Sequence, residues 1–227
     1  MKIVVLFFSF LLSFPLMLSA QSGEGLLPKV SAALAAGQEE QAIALFGQAI
    51  IGNPEKTEMY YWTTVDKNSN VCPKLASKLA NYYKKARNYD KAYLFYKELL
   101  QKSPNDVNYL NGCAEMEVCR GREDEALRTY EKVLDLDANN LAANIFVGNY
   151  YYLMAEQEKQ KMENEYKKIA APTRMQYANY RNGLSRLLST RYEKAKEYLQ
   201  NVIRQFPSTE AQKTLNKIQL IEKELNR

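Results

Sequence analysis

The chain has 227 residues and a formal net charge of +5, with Lys and Arg interspersed among Asp and Glu rather than gathered in blocks. Such a distribution is typical of a solvated surface and argues against a nucleic-acid-binding protein. Histidine is absent, which removes the commonest acid-base group near neutral pH and the commonest metal ligand. Because only 9 Gly and 7 Pro occur among many residues that lose little entropy in a helix, the composition favours a helical chain.

Residues 1–20 have the pattern of a secretory leader. Lys2 supplies the positive charge, a long apolar run follows, Pro15 interrupts it, and Ala20 is a small residue suited to cleavage before Gln21. The sequence therefore predicts an exported protein of the periplasm or cell envelope. The alternative is an uncleaved membrane anchor, because the apolar run is close to the shortest length that spans a bilayer, about 17 residues.

A first helical hairpin is predicted at residues 23–56. A small residue, an aromatic residue four positions later and a proline eight positions after that mark its second helix, at Ala42, Phe46 and Pro54. Gly37 is predicted to form the turn of this hairpin, because glycine adopts a left-handed backbone conformation at little energetic cost.

An insertion separates this hairpin from the next one. Its most conspicuous feature is an aromatic cluster formed by Met59, Tyr60, Tyr61 and Trp62. One interpretation is a binding anchor, because Trp and Tyr bring a large contact area at low entropic cost. The other, which we favour, is that the cluster fills the gap that the insertion opens between hairpins.

Residues 73–106 and 107–140 contain the most regular part of the pattern. Short side chains recur at an interval of 34 residues, which lets antiparallel helices approach to about 8–10 Å. The short residues are Ala80, Ala114 and Gly148, then Ala92 and Ala126, and the aromatic residues Tyr96 and Tyr130 recur at the same interval. This spacing of small and aromatic residues resembles that of the tetratricopeptide repeat family, whose period is 34. The resemblance implies an all-α fold, a right-handed superhelical α-solenoid of stacked helix-turn-helix repeats.

Two more repeats and a closing helix are predicted after these. Gly148 and Ala195 carry the pattern onward, although the second helix of the fourth repeat matches it poorly. The predicted segments are residues 141–175, residues 176–209 and a capping helix at residues 210–226. The resemblance thus extends over residues 21–227, with about five repeats in all.

No catalytic, cofactor or metal site is predicted, so the sequence indicates a protein that is not an enzyme. It contains no Gly-rich phosphate loop and no carboxylate pair distinct from the general surface pattern. The acidic runs at Glu39, Glu40 and residues 123–125 fall at second-helix N-termini, where negative charge stabilises the helix dipole.

The three cysteines, Cys72, Cys113 and Cys119, have no metal-binding spacing. Cys113 and Cys119 lie on different faces of one predicted helix and should not bond to each other. Burial as small apolar residues is the favoured interpretation. A disulfide from Cys72 to either of the others stays open.

In the family that the sequence resembles, the first helices of successive repeats line a concave groove that holds a peptide or a partner helix. Carried onto this chain, the groove would be polar and basic at one end and aromatic at the other. Its predicted residues are Lys74, Ser77, Asn81, Lys84, Asn108, Asn111, Glu115, Ile145, Asn149, Tyr152, Tyr177 and Tyr180. Such a surface suits an extended peptide with an acidic portion and apolar anchors, and it predicts a protein-binding scaffold.

The alternative function is recognition of an envelope glycan or another non-protein ligand through the Tyr-rich end and Trp62. Stacked aromatic rings that face solvent would favour it, whereas Tyr side chains buried between helices would count against it. Neither function involves nucleic acid, and a membrane is expected to take part only through an uncleaved leader.

Overall fold

The structure is a computed structural model that describes residues 25–225, and the predicted leader lies outside the described residues. Every regular element in this range is helical, which confirms the all-α prediction. The helices are α1 (Leu26–Ala35), α2 (Glu39–Gly52), α3 (Pro54–Thr63), α4 (Cys72–Lys85), α5 (Tyr89–Lys102), α6 (Val107–Cys119), α7 (Glu123–Leu136), α8 (Leu141–Lys167), α9 (Arg174–Leu187), α10 (Glu193–Gln205) and α11 (Thr209–Leu225). Within residues 25–225 no helix is both long and apolar enough to cross a bilayer.

The described residues form two compact units, which divide between Leu75 and Ala76 within α4. In the first unit, α1 and α2 form an antiparallel hairpin that buries Val30 and Phe46 completely. The inserted helix α3 packs against α2, and the Asn53 side chain caps its N-terminus by accepting a hydrogen bond from the amide of Lys56. The insertion is therefore a folded helix with its own N-terminal cap.

Two further regular hairpins follow, α4 with α5 and α6 with α7, and apart from the first turn of α4 they belong to the second unit. The four alanines of the repeat pattern, Ala80, Ala92, Ala114 and Ala126, are all fully buried. Short side chains at these places let the helices pack closely, as the 34-residue interval predicts.

Each of the three regular hairpins turns at a residue with positive φ. These residues are Gly37 (φ 71°), Arg87 (φ 57°) and Gly121 (φ 70°), and each stands at the equivalent position of its repeat. A left-handed residue ends a helix by letting the next amide groups bond back to the last carbonyl groups. After Arg87, the Asn88 side chain begins α5 by accepting a hydrogen bond from the amide of Lys91 at 3.2 Å, the usual role of an N-cap.

The remaining part of the chain differs from the prediction. Helix α8 continues for 27 residues without a turn, and α9, a π-helical segment at Leu188–Tyr192 and α10 follow one another as one helical run. The segments predicted as two hairpins, residues 141–175 and 176–209, together form one long hairpin, which is called the long hairpin below.

The reason lies at the positions where the two missing turns would have been. The residues equivalent to Gly37 and Gly121 are Ala155 and Thr190, and a β-branched residue such as Thr is a rare outlier at positive φ. Ala155 is instead fully buried, and the Thr190 hydroxyl donates a hydrogen bond to the carbonyl of Arg186 in the preceding turn. The helices therefore continue.

The long hairpin is held together by close packing and by a partly buried hydrogen bond between its arms. Gly148 of α8 lies against Leu199 of α10, and the buried Asn144 accepts a hydrogen bond from Asn201 at 3.2 Å. Helix α11 then packs its buried face, which includes Leu215, against α10. Position 148 thus pairs with α10 rather than with a helix of its own predicted repeat.

Candidate functional site

Two predicted groove residues, Ser77 and Asn81, belong to one hydrogen-bonded chain on α4. The Asn81 amide donates to the Ser77 hydroxyl at 3.4 Å, and the Tyr96 hydroxyl donates to the Asn81 side-chain oxygen at 3.2 Å. Burial raises the pKa of Tyr96, which keeps the hydroxyl protonated as a donor. Asn81 is therefore exposed but oriented by a buried tyrosine of α5.

The two lysines of the predicted groove are both engaged by carboxylates. Lys74 forms ion pairs with Glu39 and Glu40 of α2, and the hydrogen bond from Lys74 to Glu40 raises the pKa of the lysine. Lys84 of α4 binds Glu115 of α6 at 2.5 Å. The positive charges expected at this end of the groove are compensated within the protein itself.

The predicted residues of α6 differ in exposure. Asn108 is exposed in the first turn, while Asn111 is half-buried one turn later. The side-chain oxygen of Asn111 is buried and has no hydrogen-bond partner, the one such atom found among the described residues. A buried acceptor without a donor is energetically unfavourable.

Between α6 and α8 lies an open cavity of about 470 Å³, called the α6–α8 groove below. It brings together three of the predicted residues, Glu115, Ile145 and Asn149, with neighbours that the sequence analysis did not select. The complete lining is Glu115, Val118, Cys119, Glu123, Tyr130, Ala142, Ile145, Phe146, Asn149, Tyr150 and Leu153.

Beside the groove, α8 exposes a stripe of three aliphatic residues interrupted by Asn149. Leu141, Ile145, Asn149 and Leu153 follow one another at intervals of four residues, so they share one helix face. Ile145 is 40% exposed and Leu153 is 57% exposed. Large aliphatic side chains gathered on one exposed face mark an interaction surface more often than singly exposed ones. The sequence contained the signal for Leu153, because it continues the spacing of Ile145 and Asn149.

The rim of the α6–α8 groove is acidic. Glu123 is exposed at the start of α7, and Asp124 beside it accepts a hydrogen bond from the Tyr150 hydroxyl at 2.6 Å. That bond raises the pKa of Tyr150. Glu115 in the groove wall is paired with Lys84. For Glu123 and Asp124 no ion pair with Lys is observed in the described part of the chain, so the rim keeps negative charge.

The aromatic residues predicted for the groove lie elsewhere. Tyr152 is half-buried and packs edge-on against Tyr192 of the π-helical segment, with ring centroids 6.2 Å apart. Tyr177 and Tyr180 contact Tyr166 near the far end of α8. Because Tyr166 follows Asn149 by 17 residues, these rings lie about 25 Å along the helix from the groove. The structure does not bring them together with Ile145 and Asn149.

The aromatic cluster of the inserted helix is partly buried. Tyr61 is fully buried and its hydroxyl lies 3.2 Å from the Cys72 thiol, while Tyr60 bonds the Ser31 hydroxyl at 2.8 Å. Met59 and Trp62 remain exposed at 58% and 39%. The contacts of Tyr60 and Tyr61 agree with a gap-filling role for the insertion.

Within residues 25–225 no group of His, Cys, Asp or Glu side chains could hold a metal ion. The one buried carboxylate found there, Glu117, accepts a hydrogen bond from the Thr129 hydroxyl at 2.7 Å and lies 3.6 Å from the Cys113 thiol. The bond from Thr129 joins α7 to α6, whereas Cys113 lies one turn away on α6 itself.

The cysteines make a direct prediction possible. All three are free thiols, and Cys72 and Cys113 are buried, whereas Cys119 is exposed, which differs from the burial expected for it. Burial raises the pKa of Cys113 to about 12, so this thiol stays protonated and unreactive. We expect a thiol reagent at about pH 8 to label one cysteine per native chain, Cys119, and all three after denaturation. Labelling of two in the native protein, or of fewer than three in denaturant without reductant, would contradict this.

A tetratricopeptide repeat model matches residues 177–209, which the structure shows as α9, the π-helical segment and α10. Among solved structures, a protein from Bacteroides ovatus ATCC 8483, described as a "putative protein binding protein", is 66% identical, covering 90% of this chain and all of that one, with a TM-score of 0.85. A thermophilic TPR protein of Thermus thermophilus is 16% identical over 87% of this chain and 99% of that one (TM-score 0.34). YrrB, a TPR protein with an unusual peptide-binding site, is 15% identical over 85% and 89% (TM-score 0.36). The search of curated proteins found no match.

The fold is that of a helical-repeat interaction protein. The chain belongs to the tetratricopeptide repeat family. This membership supports a scaffold that binds other proteins rather than an enzyme.

Proposed function

We propose that this chain is a non-enzymatic scaffold that binds a segment of a partner protein in the α6–α8 groove. The main observation in support is the exposed stripe that includes Ile145 and Leu153, which borders an open cavity of about 470 Å³. Burying one aliphatic side chain of this size contributes about 1.5–3 kcal/mol. Two such anchors together contribute about 3–6 kcal/mol, and backbone and charged contacts must supply the rest, because association itself costs several kcal/mol.

The charges around the groove define the partner segment further. Glu115 in the groove wall is paired with Lys84, whereas Glu123 is exposed on the rim. Complementary charge improves the rate and the specificity of association. We therefore propose a segment with apolar anchors and basic flanking residues, in place of the acidic segment expected from the sequence.

The proposed location is the periplasm or cell envelope. It is supported by the leader pattern of residues 1–20. For the glycan alternative, Tyr152 and Tyr180 are half-buried, while Trp62 and Tyr177 are 39% and 48% exposed. The stacked Tyr166 and Tyr180 rings lie beside α9 at a helix end, and no open cavity is found there among the described residues that would enclose a sugar.

The test is a selection of displayed random peptides on the immobilised chain, followed by affinity measurements on variants. We expect the enriched peptides to combine aliphatic or aromatic residues with Lys or Arg. Ile145→Glu together with Leu153→Glu should weaken their binding at least about 30-fold, which corresponds to about 2 kcal/mol, because truncated anchor residues typically cost that much.

The matched control changes two equally exposed leucines on second helices. Leu94 of α5 is 49% exposed and Leu136 of α7 is 45% exposed, and the same two substitutions to Glu add the same charge. Binding should survive in this control. Equal loss in both double variants, or no loss in the groove variant, would refute the proposal.

A further inference from the structure

A second surface lies at the end of the long hairpin. We call residues 166–180 the hairpin tip; they comprise the last residues of α8, the connecting loop and the first turns of α9. All ten residues from 170 to 179 are exposed, including six successive residues of α9. An α-helix has a new residue about every 100°, so six exposed residues in a row mean that no side of these turns is covered.

These turns of α9 are maintained by local hydrogen bonds rather than by packing. The Thr173 hydroxyl accepts a hydrogen bond from the amide of Gln176, and the Gln176 side chain accepts one from the amide of Thr173, a complete capping box. The exposed side chains here contribute little to the fold. Met175, 71% exposed, and Tyr177, 48% exposed, can be replaced without opening the core.

The hairpin tip is also basic. It carries Lys167, Lys168 and Arg174 and contains no acidic residue. All three cations are exposed. The nearest carboxylates along the chain, Glu163 and Glu165, precede the tip on α8. A projecting surface of net charge +3 with exposed apolar side chains therefore has two of the features of a membrane-surface anchor.

Aromatic side chains supply the third feature. The Tyr166 and Tyr180 rings stack with centroids 4.6 Å apart, and Tyr177 lies 6.4 Å from Tyr166. Tyrosine has an apolar body and a polar end, which suits it to the level of the lipid headgroups. A protein partner would need about 800 Å² of matching surface, which favours a broad concave or flat face, whereas lipid can surround a small convex tip.

We propose that the hairpin tip docks on an anionic lipid surface. Lys167, Lys168 and Arg174 bind the negative headgroups, while Met175 and Tyr177 insert at the boundary between headgroups and acyl chains. Each cation close to such a surface strengthens binding about fivefold. This proposal is independent of the α6–α8 groove, which lies about 25 Å away along α8.

The experiment is co-sedimentation of the chain with vesicles of phosphatidylcholine alone and with vesicles containing about one third phosphatidylglycerol. We expect binding to the anionic vesicles only, weakening as salt rises from about 0.1 M to about 1 M, because the Debye length then falls from about 10 Å to about 3 Å. The variant Lys167→Glu, Lys168→Glu, Arg174→Glu should lose at least about a hundredfold in partitioning.

A control variant carries the same change in net charge at exposed lysines elsewhere, Lys78→Glu, Lys85→Glu and Lys217→Glu, and should keep binding. A second tip variant, Met175→Ser with Tyr177→Ser, should still bind the anionic vesicles at low salt, but it should dissociate from them at a lower salt concentration than the wild type does. No binding to anionic vesicles, equal losses in the two charge variants, or an unchanged salt response in the serine variant would each overturn the proposal. Circular dichroism checks that every variant is folded.

Discussion

Gly112→Ala is expected to destabilise the protein by about 1–3 kcal/mol, the usual range for overfilling a packed core. A Cβ at this position would lie 2.8 Å from Cδ1 of Tyr96 and closer still to the next ring atoms. The ring cannot move away easily, because it is buried and its hydroxyl is bonded to Asn81. Chemical denaturation followed by circular dichroism measures the change.

The matched control is Gly47→Ala in α2. No atom lies within 4 Å of the added Cβ there, so the substitution should stabilise its helix by about 0.5–1 kcal/mol through helix propensity alone. Hydrogen exchange reads the effect on α2 separately from the second unit. A Gly112→Ala protein as stable as the wild type would contradict the close approach of α5 and α6.

Tyr192→Ala is expected to cost about 3–5 kcal/mol, as for other large buried aromatic residues. Tyr192 is 1% exposed in the π-helical segment, belongs to the same core cluster as Ala155, and donates a hydrogen bond to Glu156 at 2.6 Å. Removing the ring leaves a cavity between α8 and α10 and takes the donor from Glu156. The unfolding midpoint should fall, and protection from hydrogen exchange should be lost first in the long hairpin.

Tyr192→Phe separates the hydroxyl from the ring and should cost about 1–3 kcal/mol, because Glu156 loses its donor. Burial, with the bond to Glu156, raises the pKa of Tyr192 above the ordinary value of 10.0. A pKa raised on folding gives stability that is present below about pH 10 and lost as the pH rises further. Stability should therefore decline more steeply above about pH 10 in the wild type than in Tyr192→Phe. Parallel declines would contradict this.

The regular part of the fold was predictable because one physical requirement recurs in it. Close helix crossings need short side chains, and Ala80, Ala92, Ala114 and Ala126 met that requirement at a fixed interval. The prediction was wrong where spacing was counted without asking whether a turn could form. Thr190 stands where Gly37 and Gly121 turn, and a β-branched residue rarely adopts the positive φ that this turn needs.

A second signal for the long hairpin was also present in the sequence. Lys159 can pair with both Glu156 and Glu163 one turn away on either side, and these ion pairs support an uninterrupted helix. The segment predicted as a degenerate second helix of the fourth repeat is therefore the continuation of the first helix of that repeat, and both form α8.

The candidate site was predictable in part. The first-helix positions of Ile145 and Asn149 follow from the repeat register, and both line the α6–α8 groove. The compensation of Lys84 by Glu115 depends on two helices whose side chains meet 31 residues apart, which no local pattern reveals. Tyr177 and Tyr180 were misplaced because their position rested on a turn that does not form.

The long hairpin also has a kinetic consequence. Within α4 and α5 the bond between Tyr96 and Asn81 joins residues 15 apart, whereas the bond between Asn201 and Asn144 joins residues 57 apart. Because the enclosed segment is nearly four times longer, the entropic cost of closing it is about 1 kcal/mol higher. Long-range pairing also slows folding generally. The amino-terminal hairpins can thus acquire their structure early, while the carboxyl-terminal third docks last and determines how quickly the native state is reached.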